Sequence, residues 1–191
     1  MVSAEYDLGY IGAALPVLES YLLAEDVYWS LVAAPPGGGP TYPNLTLGTL
    51  LLTLQKLRAR SLSRDQHFEL ERAESKIGRQ QLQWRSAWEK KSSREFGARL
   101  RLWRNYIEDY RRDAENNVDR YAYEVSRRVM LTLLADFADP ANEEIELLHG
   151  LDIMLQSVFI PGSFIWGEEY ASGFPVDRFW YLYGELADNL E

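Results

Sequence analysis

"WRSAWEKKSSREFGARLRLWRNY", residues 84–106, sets three tryptophans and a phenylalanine among arginines and lysines. Two readings compete for it: a surface that grips nucleic acid, or the seam of a long helix. Advancing about 100° per residue from Trp84 places Trp88, Phe96, Leu100, Leu102, Trp103, Tyr106, Ile107 and Tyr110 within an arc of about 160°. Lys90, Arg94, Arg101, Arg104, Arg111 and Arg112 fall on the other side. Single-strand binders set aromatics beside cations in one groove, so that a base can stack while its phosphate is held. Here the two are segregated. Charges four apart, among them Lys91 with Glu95, Glu95 with Arg99, Arg104 with Glu108, Glu108 with Arg112, Arg111 with Glu115 and Arg120 with Glu124, give the polar side the pattern of a solvated helix face. The stretch is therefore read as a helical seam, with nucleic-acid contact through the basic face between Lys90 and Arg128 as the alternative.

Working outward, Ser63 and Gln66 form a capping-box pattern, and no proline follows until Pro140. A straight helix over residues 63–112 would be about 75 Å long. A globule of this chain length has a radius of gyration of only about 16 Å. The helix must therefore protrude, bend or break, with Gly78, Gly97 and the Ser92–Glu95 pattern as candidate breaks and Ala114 to Asn117 as the expected turn. A second arm is expected from about Val118 to Phe137.

Upstream, residues 4–33 carry a helix that Pro16 divides, with Leu15, Leu18, Leu22 and Leu23 as its buried stripe. "APPGGGPTYPN", residues 34–44, is a linker no helix can cross. "LTLGTLLLTLQKLRAR", residues 45–60, follows as an apolar second helix, capped by Thr46 or Asn44 and closed by arginines that oppose its dipole. Downstream, "DPANEEIELL" starts a helix with Asp139 as cap and Pro140 in the first turn, running to about Phe159. Residues 159–183 then hold nine of the protein's 25 aromatics, and are read as an irregular lid over 159–175 with a short helix after Pro175. The fold class is all-α: a single helical domain over residues 1–191, built around a helix hairpin at about 63–137, with an N-terminal helix pair and an aromatic C-terminal lid.

The chain has 191 residues, a net charge of -9 and no cysteine. The last excludes disulfides, thiolate metal sites and a cysteine nucleophile. The charge is unevenly spread, and acidic flanks enclose a middle third that carries nineteen of the twenty bases. Such asymmetry serves either an anionic partner or packing of the flanks on the middle. With acids where a signal peptide is basic, and no apolar run long enough for a span, a cytoplasmic protein without membrane contact is expected.

Catalytic signatures are scarce. There are two histidines. Glu146 and His149 make a Glu-x-x-His pair, but carboxylate di-metal bundles need two such pairs and two further glutamates. "PPGGGP" lacks the Gly-Lys-Ser/Thr of a phosphate loop, and its prolines have no amide hydrogens to donate. No catalytic residue and no cofactor are expected. The width of the aromatic arc points instead to an interaction or adaptor protein that pairs with a protein partner, in the simplest case a second copy of itself. The partner-binding candidates are Trp84, Trp88, Trp103 and Tyr106 on the seam, and Arg178, Phe179 and Trp180 in the tail, since these residue types dominate interface hot spots. The nucleic-acid candidates are Lys90, Arg94, Arg101, Arg104, Arg111 and Arg112. The metal candidates are Glu146 and His149.

Overall fold

A computed structural model describes residues 3–35 and 40–188. Residues 36–39 of the expected linker lie outside the described residues. Helix α1 (Ala4–Ala14) is capped by Ser3, whose hydroxyl accepts from the Tyr6 amide at 3.2 Å. A single 3-10 turn at Leu15–Val17, with Pro16 inside it, joins α1 to α2 (Leu18–Leu23). That turn shifts the helical phase. Leu18 and Leu22 are buried as expected, whereas Leu23 is exposed and Tyr10, Ile11, Ala14 and Tyr21 complete the buried face. The chain then runs extended, and Trp29 and Leu45 exchange backbone hydrogen bonds of 3.0 and 2.7 Å.

Helix α3 (Leu47–Ala59) starts at Thr46 and ends with Lys56 and Arg58 in its last turn, where cations oppose the helix dipole. It is the central element, packed against α1, α5 (Arg85–Arg112) and α7 (Tyr121–Leu134). The capping box at Ser63 and Gln66 opens α4 (Arg64–Gln83). The length conflict is relieved at Trp84, whose backbone (φ -113°, ψ 35°) leaves the helical region between α4 and α5. None of the expected breaks is used. Gly78 lies within α4, and Ser92 and Glu95 are buried mid-helix. Gly97 serves close packing instead: a Cβ there would lie 2.5 Å from the Glu144 carboxylate of α8 (Asn142–Val158).

The hairpin turns at Asp113 (φ -154°, ψ 82°), one residue before the expected turn, and Ala114–Asn117 forms the short helix α6 capped by the Asp113 side chain. Helix α7 returns along α5 and makes the most extensive helix pairing of the fold. Arg128 of α7 reaches Asp152 of α8 with two bonds of 2.8 and 2.7 Å and lies over the Tyr181 ring, locking the α7–α8 interface. The start of α8 differs from expectation. Its cap is Ala141, whose amide donates to Glu144 at 3.1 Å, while the Asp139 amide is drawn to Ser93 of α5 at 2.9 Å.

The tail is more ordered than a lid. Strand β1 (Phe159–Phe164) pairs antiparallel with β2 (Tyr183–Leu186), Phe159 facing Leu186, with an irregularity between Pro161 and Phe164. Between the strands lie a 3-10 segment, Glu168–Gly173, and the single helical turn α9 (Val176–Phe179). Phe164, Trp166, Phe174, Phe179 and Tyr181 form a chain of edge and tilted ring contacts. The architecture is all-α with this one small hairpin appended.

One buried polar knot joins the two ends of the chain. Arg60, just past α3, pairs with Asp7 of α1 at 3.1 Å and bonds the Tyr170 hydroxyl. Burial raises the Asp7 carboxyl to about 6, with Arg60 and Lys56 pulling the other way. A carboxyl raised in the folded state holds its proton more tightly than the unfolded chain does, so its ionisation costs stability as pH rises from about 3.8 to about 6. The difference in unfolding free energy between wild type and Asp7→Asn is therefore expected to move against wild type by roughly 2 kcal/mol across that interval. Urea titrations of both proteins at pH 4 and pH 7 measure it, and a difference that stays constant would show that Arg60 fully compensates the buried charge.

Candidate functional site

The aromatic seam is filled from within the chain. Trp88, Phe96, Trp103, Tyr106 and Tyr110 are each at most 2% exposed, and α3, α7 and α8 cover them. Of the seam residues expected to meet a partner, Trp84 is half-buried, and Trp88, Trp103 and Tyr106 lie in the core. Of the tail candidates only Phe179 lies in the core, while Trp180 is half-buried and Arg178 is exposed. Trp180 stands edge-on to Phe159 at 5.3 Å, and Arg178 is paired with Asp136 at 2.7 Å.

The basic face of α5 is partly spent on the chain itself. Arg94 donates to the Glu25 carbonyl at 3.2 Å, Arg104 pairs with Glu108 at 3.3 Å, and Arg112 with Asp109 at 3.5 Å. Lys90, Arg101 and Arg111 are exposed. The face is not uniformly solvated: Lys91 is only 2% exposed and donates to the Ala24 and Asp26 carbonyls at 2.7 Å each, closing the end of α2. Glu146 and His149 lie exposed on α8, and no cluster of three or more His, Cys, Asp or Glu able to hold a metal occurs among the described residues.

A different set of cations converges elsewhere. Between α3, α5 and α7, beside the extended segment at Tyr28 and the loop at Trp166, lies a cleft of about 440 Å³. Lys56, Arg99 and Arg127 line it, and none of its lining residues among those described is acidic. Each cation lies near an aromatic ring: Lys56 over Trp166 at 4.7 Å, Arg99 over Tyr28 at 5.7 Å and Arg127 over Tyr123 at 6.0 Å. The floor is apolar, with Leu52 and Met130, and the hydroxyls of Thr46, Thr49 and Ser126 add polar groups.

What holds Arg99 in place is buried behind it. Glu95, completely inaccessible, accepts from the Gly48 amide at 2.9 Å and from Arg99 Nε at 3.1 Å. Its carboxylate thus occupies the amino end of α3, where unpaired amides and the helix dipole favour an anion. It fits there because residue 48 is glycine; a Cβ would lie 2.6 Å from Glu95 Oε1. Arg99 Nη2 donates to the Thr46 hydroxyl at 3.1 Å, and Nη1 has no protein hydrogen bond among the described residues. Arg127 forms an ion pair through Nη1 with Glu124, which is 4% exposed and also pairs with Arg120 at 3.0 Å.

The cations disturb one another. Burial, reinforced by the guanidiniums of Arg99 and Arg120, pulls Arg127 below the ordinary arginine value. Burial likewise pulls Lys56 down, with Asp7 opposing and Arg60 adding to the effect. Lys56 has no carboxylate within 4.0 Å among the described residues. A half-buried ammonium in that position gains from any anion that enters.

Sequence reasoning had not assembled this set. Glu95 and Arg99 were visible as a pair four apart, but the pairing says nothing of burial. Lys56, Arg127, Tyr28 and Trp166 come from separate elements and carry no shared motif. The sparse signal available was the single lysine closing an otherwise apolar helix.

The chain is thus an all-α protein with a basic, aromatic-walled cleft. No family model, curated protein or solved structure matches it. No helix among the described residues is long and apolar enough to cross a membrane.

Proposed function

We propose that this chain is a non-catalytic binding protein whose recognition site is the cleft between α3, α5 and α7, and that it recognises an anionic group. This keeps the interaction role expected from the sequence but moves it from the seam to the cleft, because the seam residues are consumed by the core. The observation that carries the reading is the convergence of Lys56, Arg99 and Arg127 on a cleft without an acidic wall. The counter-charges of the two arginines, Glu95 and Glu124, are buried, so they hold the guanidiniums without filling the cleft. Preset donors of this kind lower the ordering cost of binding. The volume lies within the range of about 300–1,000 Å³ usual for small-ligand sites.

The test is a titration of the purified protein with a panel of anions by calorimetry, beside a double variant, Lys56→Met with Arg127→Gln. Glu124 keeps Arg120 as partner in the variant, and circular dichroism verifies its fold. Wild type is expected to bind at least one di- or polyvalent anion saturably, weakening with salt, and the variant about tenfold or more less tightly. Equal binding by the two proteins would remove the cleft from consideration.

A further inference from the structure

Resting on that reading, we infer that the ligand is a small phosphate monoester joined to a planar ring, of the nucleoside monophosphate or aryl phosphate kind, with its phosphate on Arg99 and Arg127 and its ring against Tyr28 and Tyr123. The phosphate half follows from the donors. Arg99 retains an unpaired Nη1, and Arg127 is bound by protein only through Nη1 among the described residues. Two fixed guanidiniums from different helices, with the Ser126 hydroxyl nearby, offer hydrogens from several directions. A carboxylate presents two coplanar oxygens and can satisfy one fork. A terminal phosphate presents three oxygens arranged about a tetrahedral centre, and can accept from both arginines and a hydroxyl at once.

The ring half follows from the rim. Tyr123 is 73% exposed and Tyr28 45% exposed, on opposite supports, one on α7 and one on the extended segment after α2. Neither contacts another ring of the chain among the described residues, in contrast to the ring network of the tail, and neither hydroxyl has a protein partner there. Exposed tyrosines flanking fixed arginines, above an apolar floor that includes Leu52 and Met130, suit a flat, partly apolar body. A bare inorganic anion would leave that floor and both rings unused. The half-buried ammonium of Lys56 lies at the Trp166 side of the cleft, where a second acceptor on the ligand would meet it.

The experiment titrates the full chain with adenosine, guanosine, cytidine and uridine monophosphates, phenyl phosphate, inorganic phosphate and benzoate, using calorimetry and two-dimensional NMR of the arginine side chains. Tyr123→Ala and Tyr28→Ala, both at exposed positions, accompany wild type. Ring-bearing phosphates are expected to bind wild type about tenfold more tightly than inorganic phosphate. The tyrosine variants should lose most of that advantage, the ratio of ester to inorganic-phosphate affinity falling toward one, and Arg127→Gln should weaken all the phosphates alike. If inorganic phosphate binds as tightly as its esters, or if the tyrosine variants leave the preference intact, the ring assignment is overturned and the anion-binding reading stands. If none of the phosphates binds but a carboxylate does, the phosphate assignment is overturned and the reading again stands. If no anion perturbs Arg99 or Arg127, both fail together.

Discussion

Glu95→Ala is expected to cost about 3–5 kcal/mol of folding stability, among the largest effects of any single substitution in this chain, because it removes one partner of a buried charge pair and leaves the other. The carboxylate is wholly inaccessible and serves two donors at once, the Gly48 amide at 2.9 Å and Arg99 Nε at 3.1 Å. Without it, the amino end of α3 loses an acceptor inside the core, and Arg99 is left with only neutral hydroxyls. Domains of this kind have about 5–15 kcal/mol in total, so the variant should be marginal at room temperature. Glu95→Gln, which keeps an acceptor without the charge, is expected to fall between. Gly48→Ala approaches the same contact from the other side and should also destabilise, since its Cβ would meet Glu95 Oε1 at 2.6 Å and Met130 Cβ at 3.2 Å. Urea midpoints of the three variants decide the matter. A Glu95→Ala protein within about 1 kcal/mol of wild type would mean that water reaches the amino end of α3 and replaces the carboxylate.

The same carboxylate links stability to binding. Arg99 can offer a directed donor to the cleft only because Nε and Nη2 are tied from behind. In Glu95→Gln the fold should persist while Arg99 loosens, so anion affinity should fall although no lining residue has changed. That outcome is specific to a positioning role and would not follow from lost stability alone.

How far this architecture could be read from the sequence depended on whether a signal was local. Caps are local. Ser63 with Gln66, and Thr46 before a run of leucines, mark their helices within one turn and lie where expected. The wheel of residues 84–110 was also local, and it named the buried seam residues correctly, apart from Leu102, which is 37% exposed, and Trp84, which is half-buried. The break at Trp84 was not legible, because glycine and serine patterns compete as breakers while a tryptophan gives no such sign. The β1–β2 hairpin was missed for a related reason: "FIPGSF" contains proline and glycine, which disfavour a strand, and its pairing partner lies some twenty residues on. The cleft was least legible of all. Its cations are separated by tens of residues, and the acids that orient two of them looked like members of a solvated face until burial placed them inside. Charge spacing on a helix reports which side chains can meet, but only packing decides whether they meet in water.

Trp103→Ala discriminates between the two uses of the aromatic seam. In this fold Trp103 is inaccessible, lies 5.6 Å from Tyr106 ring to ring, and is covered by the chain itself. Truncating a fully buried tryptophan removes its transfer energy and leaves a cavity, together about 3–5 kcal/mol. The loss should appear as a lower urea midpoint that is independent of protein concentration, because every contact involved is made within one chain. Trp103→Phe, which retains a ring, should cost appreciably less. An interface between copies behaves otherwise: its truncation lowers stability through mass action, so the midpoint would vary with protein concentration, and gel filtration would show a shift to smaller species. A concentration-dependent midpoint in wild type that vanishes in Trp103→Ala would place the seam between two chains and overturn the account of α5 as a core helix. A midpoint that falls equally at all concentrations would leave the seam as the element that holds α3, α5 and α7 in register, and with them the three cations of the cleft.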